Sequence, residues 1–219
     1  MKLQILALLL LTSAACGQTK VKALKELSST TVDATSKQTN MTDYLPTIDK
    51  AHPIAKQLMN DEFYWSPIEE TAPFGNDDGA DTYAGFKDWR QTHKADNPRE
   101  YLSEQLTEWG YSTFDYNETN FDKLKPYLDE SPIGSRLITG TDAAILAIAF
   151  GQLYLEGTID KSFKEIAKTA IKRQLVPEMM LQWGNPYGIK ELAPKPTDPG
   201  IVEREAKLNK MLAVLNQVN

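Results

Sequence analysis

The sequence predicts an all-α fold: an irregular multi-helix bundle around a buried central helix at about 142–156, with few or no strands. Three observations favour this class. The segment 142–156 carries almost no polar face, which is typical of a helix buried on every side. The segment from 160 to about 176 repeats apolar residues at helical spacing. No alternating pattern is long enough to supply a central sheet, and 111–116 is the one moderately strand-like stretch.

The other helices are predicted from their start and stop signals. Pro53 and Pro98 suit the first turn of a helix, and Gly110 and Gly157 suit the residue after its end. Pro177 interrupts the apolar pattern that continues to about residue 183. The predicted helices cover about 52–60, 79–92, 98–109, 121–128, 142–156, 160–176 and 201–218.

The central helix is expected to begin at an N-cap formed by Thr141 or Asp142. Asp77 or Asp78 is the corresponding candidate for the helix at 79–92. At the predicted length the central helix falls short of the roughly 20 residues that a membrane span needs, which favours a core position.

The first sixteen residues predict secretion and lipid anchoring. A charged Lys2 and a short apolar run precede Ser13-Ala14-Ala15-Cys16, which resembles a bacterial lipobox acylated on Cys16 with groups such as palmitate. The alternative is an ordinary signal peptide with a chance cysteine. The predicted organisation is a signal peptide at 1–15, a lipidated Cys16 with a flexible tether at 16–43, and a single helical domain at 44–219. The second mature position holds Gly17 and not an aspartate. We therefore expect the lipoprotein to be sorted to the outer membrane, where it would face the periplasm.

Composition disfavours several functions. The 219-residue chain has a formal net charge of −6, whereas nucleic-acid-binding domains normally carry a basic surface. It holds no Walker loop and no zinc-type histidine spacing, since His52 and His93 stand far apart. We therefore expect no cofactor and no metal. The expected partners are the membrane, through Cys16, and a protein.

The densest polar stretch supplies the candidate binding residues. Its acidic groups could bind Ca²⁺, but the spacing fits an EF-hand loop poorly, and a turn that caps the next helix is the favoured interpretation. Nearby aromatic rings could stack on a sugar beside a pair of carboxylates. The candidates are Trp65, Glu69, Glu70, Phe74, Asn76, Asp77, Asp78, Asp81 and Trp89. None is identified as catalytic.

A basic stripe follows the helix at 160–176. It consists of Lys161, Lys164, Lys168 and Lys172, extended by Arg173. A charged stripe opposite an apolar one is usually a solvated face, and contact with anionic lipid or an acidic partner is the alternative.

Several segments resemble the YfeS-like group of uncharacterised bacterial proteins. The similar stretches are 51–53, 63–70, 72–79, 149–152 with Gly157, Ile159 and Asp160, and 172–174, so the resemblance covers about 51–183. The resemblance implies no activity and therefore no catalytic residues.

The sequence favours a lipid-anchored binding or interaction domain, such as an immunity-type protein, over an enzyme. This hypothesis predicts an exposed aromatic and acidic contact surface at 63–81 without a deep cleft. An envelope hydrolase acting on glycan or peptidoglycan would instead need a cleft with two carboxyl groups, at least one with a raised pKa. A purely structural lipoprotein would have no ligand site.

Overall fold

The described part of the chain contains eight α-helices, and the fifth of them lies at the centre. The structure, a computed structural model, describes residues 45–130, 136–185 and 189–218, and these ranges contain no strand. The predicted all-α bundle is therefore confirmed. The helices are α1 (Pro53–Leu58), α2 (Asp77–Thr92), α3 (Pro98–Glu108), α4 (Phe121–Leu128), α5 (Arg136–Glu156), α6 (Lys161–Gln174), α7 (Pro177–Trp183) and α8 (Pro199–Gln217). The signal peptide, Cys16 and the tether predicted at 16–43 lie outside the described residues.

The central helix α5 contacts α1, α2, α3, α4 and α6 and supplies the middle of the core. It begins six residues before the predicted start, so the expected capping role of Thr141 and Asp142 is wrong. With 21 residues, α5 is long and apolar enough to cross a membrane. Its length is therefore no evidence for a core position, contrary to the expectation from the shorter predicted helix. However, 89% of its most apolar window is buried inside the protein, as expected of a core helix.

A smaller apolar cluster lies beside the main core. Its buried members are Phe114, Leu124, Leu128, Leu137, Ile138 and Met179. Residues 111–116, the strand-like stretch of the sequence, form no strand but contribute Phe114 to this cluster. Tyr111 and Tyr116 are partly buried and pack against the same cluster, so the aromatic residues of this stretch face the cluster from a loop and do not pair in a sheet.

A buried ion pair joins α5 to α6. Asp142, in the interior of α5, accepts hydrogen bonds from Arg173 Nη2 at 2.5 Å and from Nε at 3.1 Å. Both residues are fully buried. The remaining nitrogen of Arg173 donates to the backbone carbonyls of Tyr116 and Glu118, which fixes the loop before α4.

The position of Arg173 corrects the predicted basic stripe. Lys161 and Lys172 are exposed, as expected of a solvated face, but Lys164 and Lys168 are half-buried. Arg173 is 0% exposed. The reason is register: Arg173 lies seven residues after Ile166, on the apolar side of α6.

Gly157 ends α5 at a point of close approach. Its φ of +73° lies in the left-handed region, and a Cβ there would lie 2.1 Å from His52 Nδ1. That same nitrogen accepts a hydrogen bond from Ile54 N, so His52 is the N-cap of α1. Gly110 has a similar φ of +70° but faces open space.

Replacing these two glycines by alanine separates backbone strain from steric overlap. Gly110→Ala is expected to lower the free energy of unfolding by about 1–2 kcal/mol, the cost of a left-handed L-residue. Gly157→Ala pays the same strain and also displaces His52, which adds about 1–3 kcal/mol. Urea denaturation of both variants measures the difference. Equal losses would show that His52 does not pack against Gly157.

Candidate functional site

The acidic segment 69–81 consists of a tight turn at 69–76, called the acidic turn below, and the first residues of α2. A Cβ at Gly75 would lie 2.1 Å from the carbonyl oxygen of Glu69, so the turn needs glycine there. Asn76 is the N-cap of α2: its Oδ1 accepts from Gly79 N at 2.8 Å, and its Nδ2 donates to the carbonyl of Glu70 at 3.2 Å. Asp77 and Asp78 lie in the first turn of α2 and do not cap it. The expected aspartate cap is therefore wrong by one position.

Three of the predicted site residues line one pocket: Glu70, Asn76 and Asp78. The pocket has a volume of about 380 Å³ and lies between the acidic turn and helices α5, α6, α7 and α8. Its other walls come from Thr71, Ala72, Pro73, Thr139, Ala143, Leu146, Gln174, Gln182, Trp183 and Arg204. This volume is within the range of small-molecule sites, and its lining mixes apolar side chains with amides and charges.

The predicted aromatic residues do not form an exposed surface. Phe74 is 2% exposed and packs edge-on against Tyr83, with ring centroids 4.9 Å apart. Phe63 and Tyr64 are also buried. The expectation of an exposed aromatic surface at 63–81 without a cleft is therefore wrong, because these rings complete the core and a pocket lies behind the turn.

The remaining candidates have separate surroundings. Trp65 is half-buried and donates from Nε1 to the carbonyl of Met59. Trp89 is half-buried and stacks on His93, with the ring planes 3° apart. Asp81 lines a second pocket, of about 320 Å³, together with Asp78. The structure thus places neither Trp65 nor Trp89 in the lining of either pocket.

Arg204 of α8 is the main charged group of the first pocket that sequence reasoning missed. Its guanidinium donates from Nη1 to Thr71 Oγ1 at 3.2 Å and from Nη2 to Gln174 Oε1 at 2.6 Å. Its central carbon lies 4.0 Å from the ring centroid of Trp183, which gives a cation–π contact. The Nε–H finds no acceptor within the described parts of the chain.

The charge of Arg204 is poorly compensated. The residue is 6% exposed, and its bonded acceptors are neutral oxygens. Burial lowers the pKa of Arg204 to about 10, although the carboxylates of Asp142, Glu69 and Glu70 act in the opposite direction. Since this pKa stays well above neutrality, Arg204 remains cationic at pH 7. A buried cation without a paired anion is unfavourable, so the pocket favours a bound negative charge.

A faint sequence signal marks both buried arginines. Arg204 follows Ile201 by three residues and precedes Leu208 by four, on the apolar stripe of α8. Arg173 holds the equivalent place after Ile166 and Ala170 on α6. A charged residue on the apolar stripe of a helix indicates that its side chain makes a buried polar contact. The helical pattern does not show which residue is the partner.

Glu69 attaches the acidic turn to α8. Its carboxylate accepts from Lys207 Nζ at 2.5 Å and from the backbone N–H of Thr71 at 3.1 Å. Partial burial raises the pKa of Glu69, but these hydrogen bonds outweigh burial and hold the pKa below its ordinary value. Lys207 lies one turn after Arg204, so this pair holds the pocket wall against the helix that carries the guanidinium.

The acidic turn provides no cluster that resembles a metal site. Within residues 45–130, 136–185 and 189–218, no group of three or more His, Cys, Asp or Glu side chains converges. Asp78 instead pairs with Arg136 Nη2 at 3.0 Å, at the boundary of the two pockets. The capping function of the turn explains the position of Asn76 without a bound cation.

Comparison with known proteins gives one relative. The chain is 28% identical to the uncharacterized protein YfeS of Escherichia coli (strain K12) over 145 residues, which are 63% of this chain and 56% of that protein. The chain is similar to YfeS. The similarity confirms the resemblance drawn from the segments between 51 and 183 and spans little more than half the length of YfeS. No family model matches the chain. No solved structure gives a significant match.

The Glu69–Lys207 pair predicts that the stability of this domain depends on pH. Glu69 has a lower pKa folded than unfolded, so it stabilises the fold above its unfolded pKa of about 4.3 and loses that contribution as pH falls through its folded pKa. Lys207→Met is expected to make the acid-side decline in the free energy of unfolding shallower, measured by urea denaturation from about pH 6 to pH 2.

The matched control is Lys125→Met, which removes an exposed ion pair to Asp129. Exposed pairs contribute little, so this variant is expected to follow the wild-type pH profile. Parallel profiles for wild type and Lys207→Met would contradict the proposed bond to Glu69.

Proposed function

We propose that the chain is a lipid-anchored protein of the bacterial envelope whose helical domain binds a ligand in the Arg204 pocket. The Arg204 pocket is the first pocket above, lined by the acidic turn, α5, α6, α7 and α8. The observation that carries the proposal is a buried, cationic Arg204 on the wall of this pocket. A protein gains little stability from such a group, so a ligand that pairs with it gives the group a function.

Binding accounts better than hydrolysis for the acidic residues. Glu69 is committed to Lys207, and Asp78 pairs with Arg136. Asn76 caps α2. Asn76 and Asp78 line the pocket, and Glu69 attaches to α8 the turn that leads to them. Gln174 and Gln182 also line the pocket and carry amides that can hydrogen-bond to a ligand.

One observation favours the alternative, an envelope hydrolase acting on glycan or peptidoglycan. Glu70 and Asp78 line the same pocket, and two carboxyl groups across a cleft are the minimum that glycoside hydrolysis needs. In that case Glu70→Gln and Asp78→Asn would each abolish release of soluble fragments from purified peptidoglycan. A binding domain releases none before or after either substitution.

The envelope location is supported by the amino-terminal sequence. Lys2, the apolar run at 3–11 and Ala14-Ala15-Cys16 follow the order of a lipoprotein signal. Two or three acyl chains give durable attachment, whereas one gives only marginal binding. The segment at 16–43 would then link the acylated Cys16 to the helical domain in the periplasm.

Acylation is tested by metabolic labelling with an alkyne analogue of palmitate. The wild-type chain, expressed in a double-membrane bacterium, is expected to carry the label and to sediment with the outer membrane. Cys16→Ser removes the acceptor sulfur and is expected to lose the label. Labelling that persists in Cys16→Ser, or a wild-type chain that stays unlabelled, would contradict lipid anchoring.

Ligand binding is tested by filling the pocket. Ala143 lines it from α5 and is half-buried, so Ala143→Phe is expected to occupy the space a ligand would use. The control is Ala213→Phe, an exposed site on α8 that lines a different pocket. Compounds that co-purify with the full chain are identified by mass spectrometry. A compound retained by Ala213→Phe and lost from Ala143→Phe is the predicted result. The absence of any such difference would contradict the proposal.

A further inference from the structure

Arg204 has hydrogen-bonding capacity beyond its contacts within the protein. A guanidinium carries five N–H donors. Among the described residues, one bond goes to Thr71 and one to Gln174, and the Nε–H has no acceptor. The unused donors suffice for a two-point contact with a planar anion, which is the arrangement arginine makes best.

The surroundings of Arg204 differ from those of the other buried arginines. Arg173 and Arg90 each meet a carboxylate through two nitrogens, from Asp142 and Glu156 respectively. Arg204 meets the ring of Trp183 on one face and neutral oxygens at its edge. Of these three buried arginines, Arg204 is the one that lines the pocket, and it is the one with no carboxylate hydrogen-bonded to it among the described residues.

The charge on the pocket wall limits what that anion can be. Glu70 and Asp78 line the same pocket, and Arg136 compensates Asp78. Among the described residues, the pocket therefore offers one buried cation, Arg204, and one carboxylate without a compensating cation, Glu70. This balance suits a ligand group with a single negative charge, because Glu70 would repel a dianion such as phosphate more strongly. The amides of Asn76, Gln174 and Gln182 also suit a polar organic ligand.

We infer that the Arg204 pocket binds the carboxylate of a small organic acid, held by the guanidinium of Arg204 over the ring of Trp183. This inference rests on the proposed binding function and names the chemical class of its ligand. Arg204 is the specificity-determining residue, and Gln174 holds its guanidinium in place through the 2.6 Å bond. Trp183 covers the face of the guanidinium and excludes water from it.

The test uses the arginine side chains as reporters. Two-dimensional ¹H–¹⁵N spectra of the full chain resolve the Nε–H signals of buried arginines, and the Arg204 signal is assigned by its loss in Arg204→Lys. The protein is titrated with sodium acetate at constant ionic strength, balanced with sodium chloride. The Arg204 signal is expected to shift and to saturate. The signals of Arg173 and Arg90 serve as internal controls and are expected to stay in place.

Two further arms define the class of anion. Inorganic phosphate is expected to bind at least about tenfold more weakly than acetate, which corresponds to about 1.4 kcal/mol. Arg204→Lys keeps a cation but loses the planar guanidinium that can donate two parallel hydrogen bonds. The affinity of this variant for acetate, measured from the backbone signals of Thr71 and Gln174, is expected to be lower by a similar factor. An acetate shift that chloride reproduces, tighter binding of phosphate, or no saturable shift would each overturn the inference.

Failure here and failure of the proposed function give different results. If pocket filling by Ala143→Phe removes a co-purifying compound that has no carboxylate, the binding function stands and the carboxylate inference fails. If acetate saturates the Arg204 signal while no compound distinguishes Ala143→Phe from Ala213→Phe, the site binds carboxylates but the proposed function has failed.

Discussion

The buried pair between Asp142 and Arg173 is the interaction on which the arrangement of the helices depends. It lies where α5, an almost wholly apolar helix, meets α6, and both partners are fully buried. Arg173 also donates to two carbonyls of the loop before α4, so a single guanidinium connects three parts of the chain. Burial raises the pKa of Asp142, while the charge and hydrogen bonds of Arg173 oppose that rise and favour the ionised carboxylate. Because a buried charge tolerates few alternative partners, the pair determines how α5 and α6 align.

Arg204 repeats this arrangement with its anion missing among the described residues. It occupies the same kind of position, a cation on the apolar side of a helix, and it is similarly buried. Its hydrogen-bond acceptors are neutral oxygens, and an indole ring covers its guanidinium, which lines a pocket large enough for a small molecule. The carboxylates of Asp142, Glu69 and Glu70 act on its charge, but none of them is hydrogen-bonded to it among the described residues. The contrast separates a structural arginine from a binding one. The first has its carboxylate within the chain, and we propose that the second receives it from a ligand.

Much of the helical framework could be predicted because local signals agree with the tertiary packing. Helix α4 has the predicted bounds, Phe121–Leu128, and α7 begins at the predicted break, Pro177. The sequence does not predict the first turns of α5, because Gly140 and Thr141 form helices weakly and separate Leu137 and Ile138 from the long apolar run that starts at Ala143. Gly140 is needed there for space: a Cβ would lie 3.0 Å from the ring of Tyr111 and 3.1 Å from Asp78 Oδ2.

The candidate site was predicted only in part, for a physical reason. Local sequence identifies polar residues in a turn, and three of them, Glu70, Asn76 and Asp78, do line the pocket. The opposite wall comes from α6, α7 and α8, more than ninety residues later, and no local pattern reports that approach. Arg173 was assigned to a solvated stripe because helical spacing does not show which cation meets a carboxylate on another helix.

The measurement that tests this account most directly compares the stability of Arg173→Met and Arg204→Met. Methionine keeps much of the apolar stem in both and removes the charge. Arg173→Met leaves Asp142 buried without its partner and is expected to lower the free energy of unfolding by about 3–5 kcal/mol. Arg204→Met removes a poorly compensated buried charge and is expected to leave stability within about 1 kcal/mol of wild type, or to raise it. Urea denaturation of the ligand-free protein gives both values. A loss for Arg204→Met as large as that for Arg173→Met would contradict the account, because Arg204 would then be a structural residue.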